Sequence, residues 1–309
     1  MKVLDASFQI WERDEFRGGI NAIERAGRTC YKSEGKIGPG SAERFVEMLI
    51  SVKHEAMLEH GDYIFLCEDQ KIYDNVADSL QGIRDMGFQP PMLEMSCISR
   101  RPIISGNIRA WREMFGYNML AGAYFIGHMD PIYTQGFMDS GLAPDPRVRQ
   151  IRYSDLQTRN EKLTHQRQSV SFTVDRGVSH EFVRHRGMSF AQESTRYCNY
   201  GMDRFGNEIT TIKPFYLEGK DLELWRRGAM TSEVTYMHLL NIGHTPQEAR
   251  TALPTGTKTE LVMTGNLRNW QHFFDLRAKQ ITGPAHPQAA EVAVPLYEQC
   301  KLILPDVIM

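Results

Sequence analysis

Cysteine is scarce in this sequence, and no two cysteines form a CxxC pair. The five lie far apart along 309 residues, at Cys30, Cys67, Cys97, Cys198 and Cys300. An odd number of scattered cysteines argues against a disulfide framework and against a zinc site. A chain of this length can bury a sizeable core without cross-links. We therefore expect a protein of a reducing compartment that binds no metal.

Long apolar runs and an excess of one charge are also missing. No run approaches the length of a membrane span, and the start, MKVLDASFQI, carries charges where a signal peptide has its apolar region. This predicts a cytoplasmic location. The net charge is −2, so no overall positive field attracts nucleic acid or acidic membranes. Any site for anions must come from local arginines.

Several familiar motifs are absent as well. There is no GxGxxG, GxxxxGK[ST], HExxH or GxSxG, and His54-Glu55 lacks the second histidine of a zinc protease. These absences argue against a Rossmann or P-loop nucleotide site, a zinc protease and an α/β-hydrolase.

The most polar short stretch that is present runs over residues 184–197, RHRGMSFAQESTRY. Arginine offers a planar fork of donors that suits phosphates and carbonyl oxygens, and serine adds a small hydroxyl. A packed core would not use so many polar side chains with high conformational entropy, so the stretch indicates binding. A solvated helix end of mixed charge is the alternative interpretation.

Helix and strand patterns alternate along the chain, whose length allows one large domain or two. We expect strands within 1–12, 63–67, 95–104, 169–174, 206–219 and 259–264. We expect helices over 21–28, from an N-cap at Ser41 towards 54, and over 69–89, 106–121, 175–185, 221–242, 246–253 and 266–276, with a last one from 287. Residues 125–148 are predicted to be a long loop.

Two internal similarities stand out. The sequence SGNIRAW at 105–111 resembles TGNLRNW at 264–270, and Leu58-Glu59-His60 resembles Leu163-Thr164-His165, each followed by a strand. A solenoid needs at least three units at a fixed period. Chance and one partial duplication are both compatible with the sequence.

The combination of polar blocks resembles the flavin-dependent thymidylate synthases. The segment RHRGMSFAQESTRY matches the family signature of RHR, seven residues and Ser, with Ser-x-Arg-Tyr at its end. Three further blocks match in order: HEAMLEH at 54–60, ARTALP at 249–254, and Asn266-x-Arg268 leading to Phe274-x-Leu276-Arg277. The blocks span most of the chain.

The resemblance implies a single α+β domain over residues 1–309, with mostly antiparallel sheet flanked by helices. It also implies a reaction, the reductive methylation of dUMP to dTMP. Methylenetetrahydrofolate would supply the carbon, FAD would carry the hydride and NADPH would reduce the flavin. The enzyme would be a methyltransferase and a homotetramer whose sites are shared between subunits, away from any Rossmann domain.

The resemblance also assigns site residues by position. The FAD ligands it implies are His54, Ala56, Glu59, Arg184, His185, Arg186, Gln192, Asn266, Arg268 and His272. The dUMP ligands it implies are Glu181, Arg184, Gln192, Ser194, Thr195, Arg196, Arg250 and Arg277. Arg277 is the implied catalytic residue, because a guanidinium that is always charged can stabilise negative charge on a pyrimidine carbonyl.

The chain departs from the family pattern at three places. Gln192 stands where a carboxylate is common, with Glu193 one position late, and His272 replaces an asparagine. About a hundred residues, 69–165, form an insertion relative to the short members. A related flavoenzyme for a modified pyrimidine nucleotide, and a nucleotide- or RNA-binding module without catalysis, are the alternative functions.

Overall fold

Helices and short strands alternate along the chain, and the computed structural model describes residues 1–117, 119–137 and 142–308. The strands are β1 Lys2–Leu4, β2 Ser7–Ile10, β3 Asp62–Cys67, β4 Leu93–Ile98, β5 Arg101–Asn107, β6 Val148–Gln150, β7 Arg167–Asp175, β8 Ser189–Gln192, β9 Thr210–Ile212 and β10 Lys258–Asn266. The helices are α1 Ile20–Tyr31, α2 Ser41–Ser51, α3 Gln70–Asp85, α4 Ile108–Tyr117, α5 Met119–Ile126, α6 Pro131–Thr134, α7 Arg159–His165, α8 Arg176–Phe182, α9 Gly219–Asn241, α10 Pro246–Ala249, α11 Leu267–Arg277 and α12 Pro287–Ile303.

Two four-stranded sheets organise the described part of the chain. Their strand orders are β2-β7-β10-β8 and β4-β5-β3-β6, and every pairing within them is antiparallel. β1 and β9 form a short parallel pair beside them. Helices cover both sheets, so the predicted α+β class with mostly antiparallel sheet is confirmed.

The two sheets repeat one arrangement, and the internal sequence similarities mark equivalent places in it. Asp62 lies opposite Asn107 in the β3–β5 pair, and Arg167 lies opposite Asn266 in the β7–β10 pair. Each asparagine caps the helix that follows by accepting from the backbone N–H three residues on. We call residues 7–117 the N-terminal repeat and residues 148–277 the C-terminal repeat.

Each repeat lends its first strand to the sheet of the other. β2 pairs with β7, and β6 pairs with β3. The exchange continues past the strands in the same register, because Trp11 N–H donates to the Ser169 carbonyl as Ile151 N–H donates to that of Ile64. Such reciprocity is the mark of two units related by an approximate two-fold axis.

Each repeat has its own aromatic core. Phe65, Trp111 and Phe125 pack together under the sheet of the N-terminal repeat. Phe172, Phe273 and Phe274 are fully buried in the C-terminal repeat, so the phenylalanines of α11 belong to the core.

Four local predictions were wrong. The single strand over 95–104 is a hairpin of β4 and β5, whereas the helix predicted over 106–121 corresponds to α4 and α5, which begin at Ile108. Gly40 is the N-cap of α2, whose first residue is Ser41, and α8 ends at Phe182, before His185. The loop over 125–148 contains α6 and begins β6, with 138–141 outside the described residues.

The segment 69–165, expected to be an insertion, carries β4, β5 and β6 and therefore completes the sheet of the N-terminal repeat. In the described ranges, no helix combines the length and apolarity needed to cross a membrane.

Candidate functional site

The arginine-rich segment begins as a loop between α8 and β8. Asp175 starts α8 by accepting from the backbone N–H of Val178, as predicted. After the helix, Gly187 adopts a φ of 79°, and its carbonyl accepts from the side-chain amide of Asn269 at 2.8 Å. A Cβ at Gly187 would lie 2.7 Å from that amide nitrogen. The glycine thus lets the loop lie close against α11.

His185 is the buried member of the RHR triplet. Arg277 Nε–H donates to its Nε2 at 3.1 Å, so the neutral ring carries its proton on Nδ1. Burial lowers the pKa of His185 to about 4, and the neighbouring charge of Arg277 acts in the same direction. Nδ1 is buried and has no hydrogen-bond partner among the described residues. It is available to donate to a ligand.

Arg277 joins the end of α11 to the end of α8. Its Nη1 lies 3.1 Å from a carboxylate oxygen of Glu181, and its Nη2 donates to the Glu181 carbonyl at 3.1 Å. Arg184 approaches the same carboxylate at 3.7 Å, with a side chain that is 72% exposed. The ring of His272 packs 5.9 Å from that of His185. Five predicted residues, from both ligand sets, therefore meet here.

Arg186 and Arg250 are the predicted arginines whose side chains make neither a hydrogen bond nor an ion pair to a described residue. Both are exposed, and neither makes an ion pair within the part of the chain that the structure describes. Arg250 lies on the short 3-10 helix Arg250–Ala252 that follows α10. Unpaired guanidinium groups on rigid elements are suited to phosphate.

Asn266 and Arg268 lie at the other end of α11, where the two repeats meet. Asn266 is buried, and its Nδ2 donates to a carboxylate oxygen of Glu94 at 3.1 Å. Arg268 donates to the side chains of Asn160 and Thr164 at 2.8 and 2.9 Å. Asn266 and Arg277 thus contact different groups at opposite ends of α11.

Glu59 also lies at the junction of the two repeats, but it contacts other residues than Asn266 and Arg268 do. Its carboxylate pairs with Arg109 at 2.8 Å, and its carbonyl accepts from Arg167 at 3.2 Å. Arg167 also donates to Ser189 of the signature at 3.4 Å. Arg167 therefore links Glu59 to the strand that follows the arginine-rich loop.

The side chains of Gln192 and Glu193 both interact with other residues of the protein. Gln192 donates from its amide to the hydroxyls of Ser179 and Thr259, at 2.9 and 3.2 Å. Glu193 is buried, pairs with Lys258 at 2.7 Å and accepts from Tyr200 at 2.9 Å. Glu193 is therefore committed to an internal ion pair, and it does not supply the carboxylate that is missing at 192.

The end of the signature lies beside α1. Ser194 N–H donates to the carbonyl of Cys30, and Thr195 is buried. Arg196 is exposed and donates to Gln247 at 2.8 Å. Tyr197 packs against Tyr31, with ring centroids 5.2 Å apart.

These two tyrosines line a cavity of about 880 Å³, the largest described. His54 lines it too, whereas Ala56, two residues on, is exposed and Glu59 does not line it. Its cationic lining residues are Arg28, Lys32, Lys36, Arg44 and Arg204. Arg28 and Lys32 are neutralised by glutamates, so the positive charge comes from the others. Aromatic rings and cations together fit a flat, anionic ligand.

Most of the predicted residues thus form three groups in the single chain. One surrounds Arg277, one surrounds Asn266 at the junction of the repeats, and one surrounds the cavity next to Tyr197. The orphaned Nδ1 of His185 and the unpaired Arg186 are donors that fit the ring edge and a phosphate of a flavin dinucleotide, and the unpaired Arg250 fits the phosphate of a nucleotide. In the described ranges, no three His, Cys, Asp or Glu side chains are placed to hold a metal ion.

Sequence reasoning missed Glu94, Arg109 and Arg167 as neighbours of this site. Arg109 lies inside the repeated SGNIRAW motif, so the repeat could have identified it. Glu94 and Arg167 carry no motif, and only the pairing of strands places them.

Comparison with known proteins locates the family in the C-terminal repeat and beyond. Residues 158–306 match the family model of the thymidylate synthase complementing protein, Thy1. A flavin-dependent thymidylate synthase of Corynebacterium efficiens is 32% identical over 145 residues, which cover 43% of this chain and 57% of that protein. One from Pyrococcus furiosus is 36% identical over 115 residues, covering 35% and 46%. The chain spans about half the length of the curated relatives it matches.

Among solved structures, the UMP/dUMP methylase PolB from Streptomyces cacaoi, bound with 5-Br UMP, aligns over 98% of this chain and 92% of its own. The TM-score is 0.42 and the identity is 12%. The likeness to a family rests on the sequence matches alone. Residues 158–306, which include the arginine-rich loop, are similar to the Thy1 family model and to flavin-dependent thymidylate synthases.

Proposed function

We propose that the protein methylates dUMP reductively to dTMP, with FAD as its cofactor. The observation that carries this proposal is the arginine-rich loop of the family, held against α11 so that His185 and Arg277 meet. The large cavity with its tyrosines and cations lies at the far end of the same signature segment. Both features suit ligands that combine phosphate with a flat ring.

FAD would be held by the residues that the family resemblance implies and whose donors are available. Arg186 would contact phosphate, Nδ1 of His185 would donate to the flavin, and the second N–H of the Asn266 amide would do the same. When bound, the flavin supplies the hydride of the reduction.

Arg277 would contact the pyrimidine ring of dUMP. Its guanidinium is only 16% exposed, so its charge is poorly screened by water and acts strongly on a nearby carbonyl oxygen. Glu181 fixes its orientation from two atoms. Arg250 and the loop of Ser194, Thr195 and Arg196 would receive the nucleotide phosphate.

The remaining expectations enter here as parts of the proposal. Methylenetetrahydrofolate would be the carbon donor and NADPH the reductant, and the protein would be a cytoplasmic homotetramer with sites shared between subunits. The separation of the predicted ligands into three groups supports shared sites, because a second chain can bring distant groups together.

The absorption spectrum of the purified protein tests the cofactor, and product analysis tests the reaction. We expect a yellow protein, or one that becomes yellow with FAD, whose bound flavin spectrum changes when dUMP is added. With methylenetetrahydrofolate and NADPH it should form dTMP. A protein that stays colourless after incubation with FAD contradicts the proposal.

A second candidate is a flavoenzyme for a modified pyrimidine nucleotide. The observation that favours it is Gln192, whose amide takes the place of a carboxylate and is held by two hydroxyls. Both N–H groups of the amide are used by these hydroxyls, so a neutral acceptor oxygen stands where the family has a charged one, and we expect a different preferred base. Competition between dUMP and 5-substituted analogues for the bound protein, measured by flavin fluorescence, separates the two candidates.

A further inference from the structure

We propose that the N-terminal repeat acts as a built-in partner of the C-terminal repeat and supplies Glu94 as a positioning residue for the flavin site. This inference rests on the proposed function, since it concerns the FAD site.

The strand registers give Glu94 an exact counterpart in the other repeat. Glu94 lies opposite Ser105 in the β4–β5 pair, and Ser189 lies opposite Thr264 in the β8–β10 pair. Ser105 and Thr264 occupy the same place, each two residues before the capping asparagine. Glu94 therefore occupies the position that Ser189 has in the C-terminal repeat.

The loops that precede these two positions differ in charge. Before Ser189 the chain reads RHRGM, whereas before Glu94 it reads QPPML, without a single charge. The two prolines also restrict that backbone and remove two donors. The N-terminal repeat thus keeps the fold of the site but lacks the cations that would bind a phosphate.

The side chain of Glu94 reaches across the junction between the two repeats. The carboxylate of Glu94 accepts from Nδ2 of Asn266, which lies in the other repeat. Arg167 and Arg268 are near enough to favour its charged form, while burial raises its pKa. Glu94 is half-buried, so it faces the junction and not bulk water.

The hydrogen bonds of Asn266 explain what Glu94 contributes. Its Oδ1 accepts from the backbone N–H of Asn269, and one Nδ2 hydrogen is used by Glu94. An amide has two such hydrogens, so one is left to donate to a ligand. With both partners in place the amide cannot rotate, and this free N–H points in one direction. Such fixed donors bind without reorganisation.

Two substitutions at Glu94 test the role. Glu94→Gln keeps an oxygen that can accept from Asn266, whereas Glu94→Ala removes the acceptor. We expect Glu94→Ala to weaken FAD about tenfold, in line with the loss of one hydrogen bond to a charged group. We expect Glu94→Gln to stay within about threefold of the wild type. FAD titration followed by flavin fluorescence measures both.

Three further variants control for stability and capping. Glu68→Ala removes an exposed carboxylate next to the same sheet, and FAD binding should not change. Asn266→Asp keeps the cap but places two carboxylates together, so FAD should be lost. Asn107→Asp makes the same exchange at the counterpart position, and FAD should be retained.

The outcomes separate this inference from the proposed function. If the wild type binds FAD and Glu94→Ala binds it equally well, the role of Glu94 is refuted while the proposed function stands. Equal losses in Glu94→Ala and Glu94→Gln would also refute it, because charge and not hydrogen bonding would then matter. If the wild type binds no FAD, both are refuted.

Discussion

At the scale of single residues, Arg277 has the most constrained guanidinium in the candidate site. It contacts a carboxylate, a backbone carbonyl and the neutral ring of His185 at once. We expect Arg277→Ala to lower the rate of dTMP formation by a factor on the order of 100 or more, because one preorganised charge is lost. FAD binding should change little. Single-turnover kinetics and FAD titration of the same preparation measure the two effects.

The matched control for this experiment is Arg227→Ala on α9, an exposed arginine away from these contacts. It should leave both quantities unchanged. Loss of FAD from Arg277→Ala, with normal turnover once FAD is restored in excess, would assign the residue to cofactor binding.

Substitution of Arg186, unlike that of Arg277, should weaken the binding of FAD. Its side chain is exposed and forms no ion pair in the described ranges, so its removal costs the fold little. If it contacts a flavin phosphate, Arg186→Ala should raise the FAD dissociation constant about 10- to 100-fold. Thermal unfolding of the apoprotein should stay the same. An unchanged dissociation constant would remove Arg186 from the flavin site.

The sequence motif predicts only some of the contacts in this site. The motif located His185 and Arg277, and the structure brings them together. It could not show that Glu193 is committed to Lys258 or that Glu94 reaches Asn266. Both contacts join residues far apart in sequence, and their geometry depends on strand register, which a linear pattern does not contain.

At the scale of elements, the two repeats offer a matched pair of glycines. Gly265 lies beneath Met188, and Gly106 lies beneath Leu93 at the counterpart position. A Cβ at either glycine would clash with that side chain. Only Met188 belongs to the arginine-rich loop.

We therefore expect Gly265→Ala and Gly106→Ala to destabilise the fold by similar amounts, about 1–3 kcal/mol, as overpacking does. Only Gly265→Ala should weaken FAD, because it displaces the loop. Denaturant unfolding and FAD titration check the two statements. Equal FAD affinity in both variants would mean that the loop position does not control the cofactor.

Element boundaries were predictable where local chemistry fixes them. Asp175 capped α8 as expected, and Pro287 began α12. The β4–β5 hairpin was missed because its turn consists of Ser99 and Arg100, both with positive φ, whereas such turns usually contain Asn, Asp or Gly at these positions. Tertiary pairing imposes that turn on the sequence.

At the scale of the whole molecule, the exchange of first strands makes the repeats one body. The similarity between SGNIRAW and TGNLRNW left chance open, and the equivalent registers favour duplication. The histidines of the two motifs lie at the junction. His60 shares a hydrogen bond of 2.7 Å with Thr264 of the other repeat, and His165 shares one of 2.8 Å with Ser105.

Because of these histidines, we expect the folded protein to lose stability in mild acid. Burial lowers the pKa of His60 to about 3 and that of His165 to about 4. In the unfolded chain both take up a proton below about pH 6.5. Between pH 6.5 and 4 the unfolded state therefore binds more protons, and the free energy of unfolding falls as pH falls. Each histidine contributes a slope of up to about 1.4 kcal/mol per pH unit.

Buried carboxylates act against this trend, and Asp62 has the largest pKa shift among them. Burial raises the pKa of Asp62 to about 6, so the folded state takes up its proton before the unfolded state does. As pH falls below 6, Asp62 thus regains stability and offsets about one histidine. Since His185, whose pKa is about 4, adds to His60 and His165, the net effect remains a loss.

A substitution at His165 isolates its share. His165→Gln can still bond to Ser105 but does not titrate, so the slope of unfolding free energy against pH should fall by about one proton between pH 6 and 4.5. Its absolute stability is irrelevant to this comparison. His180→Gln, at an exposed histidine, should keep the wild-type slope. Urea unfolding at a series of pH values gives the slopes, and equal slopes for all three proteins would show that His165 is not buried in its neutral form. Because His165 joins the two repeats, such a result would also place the junction in contact with water.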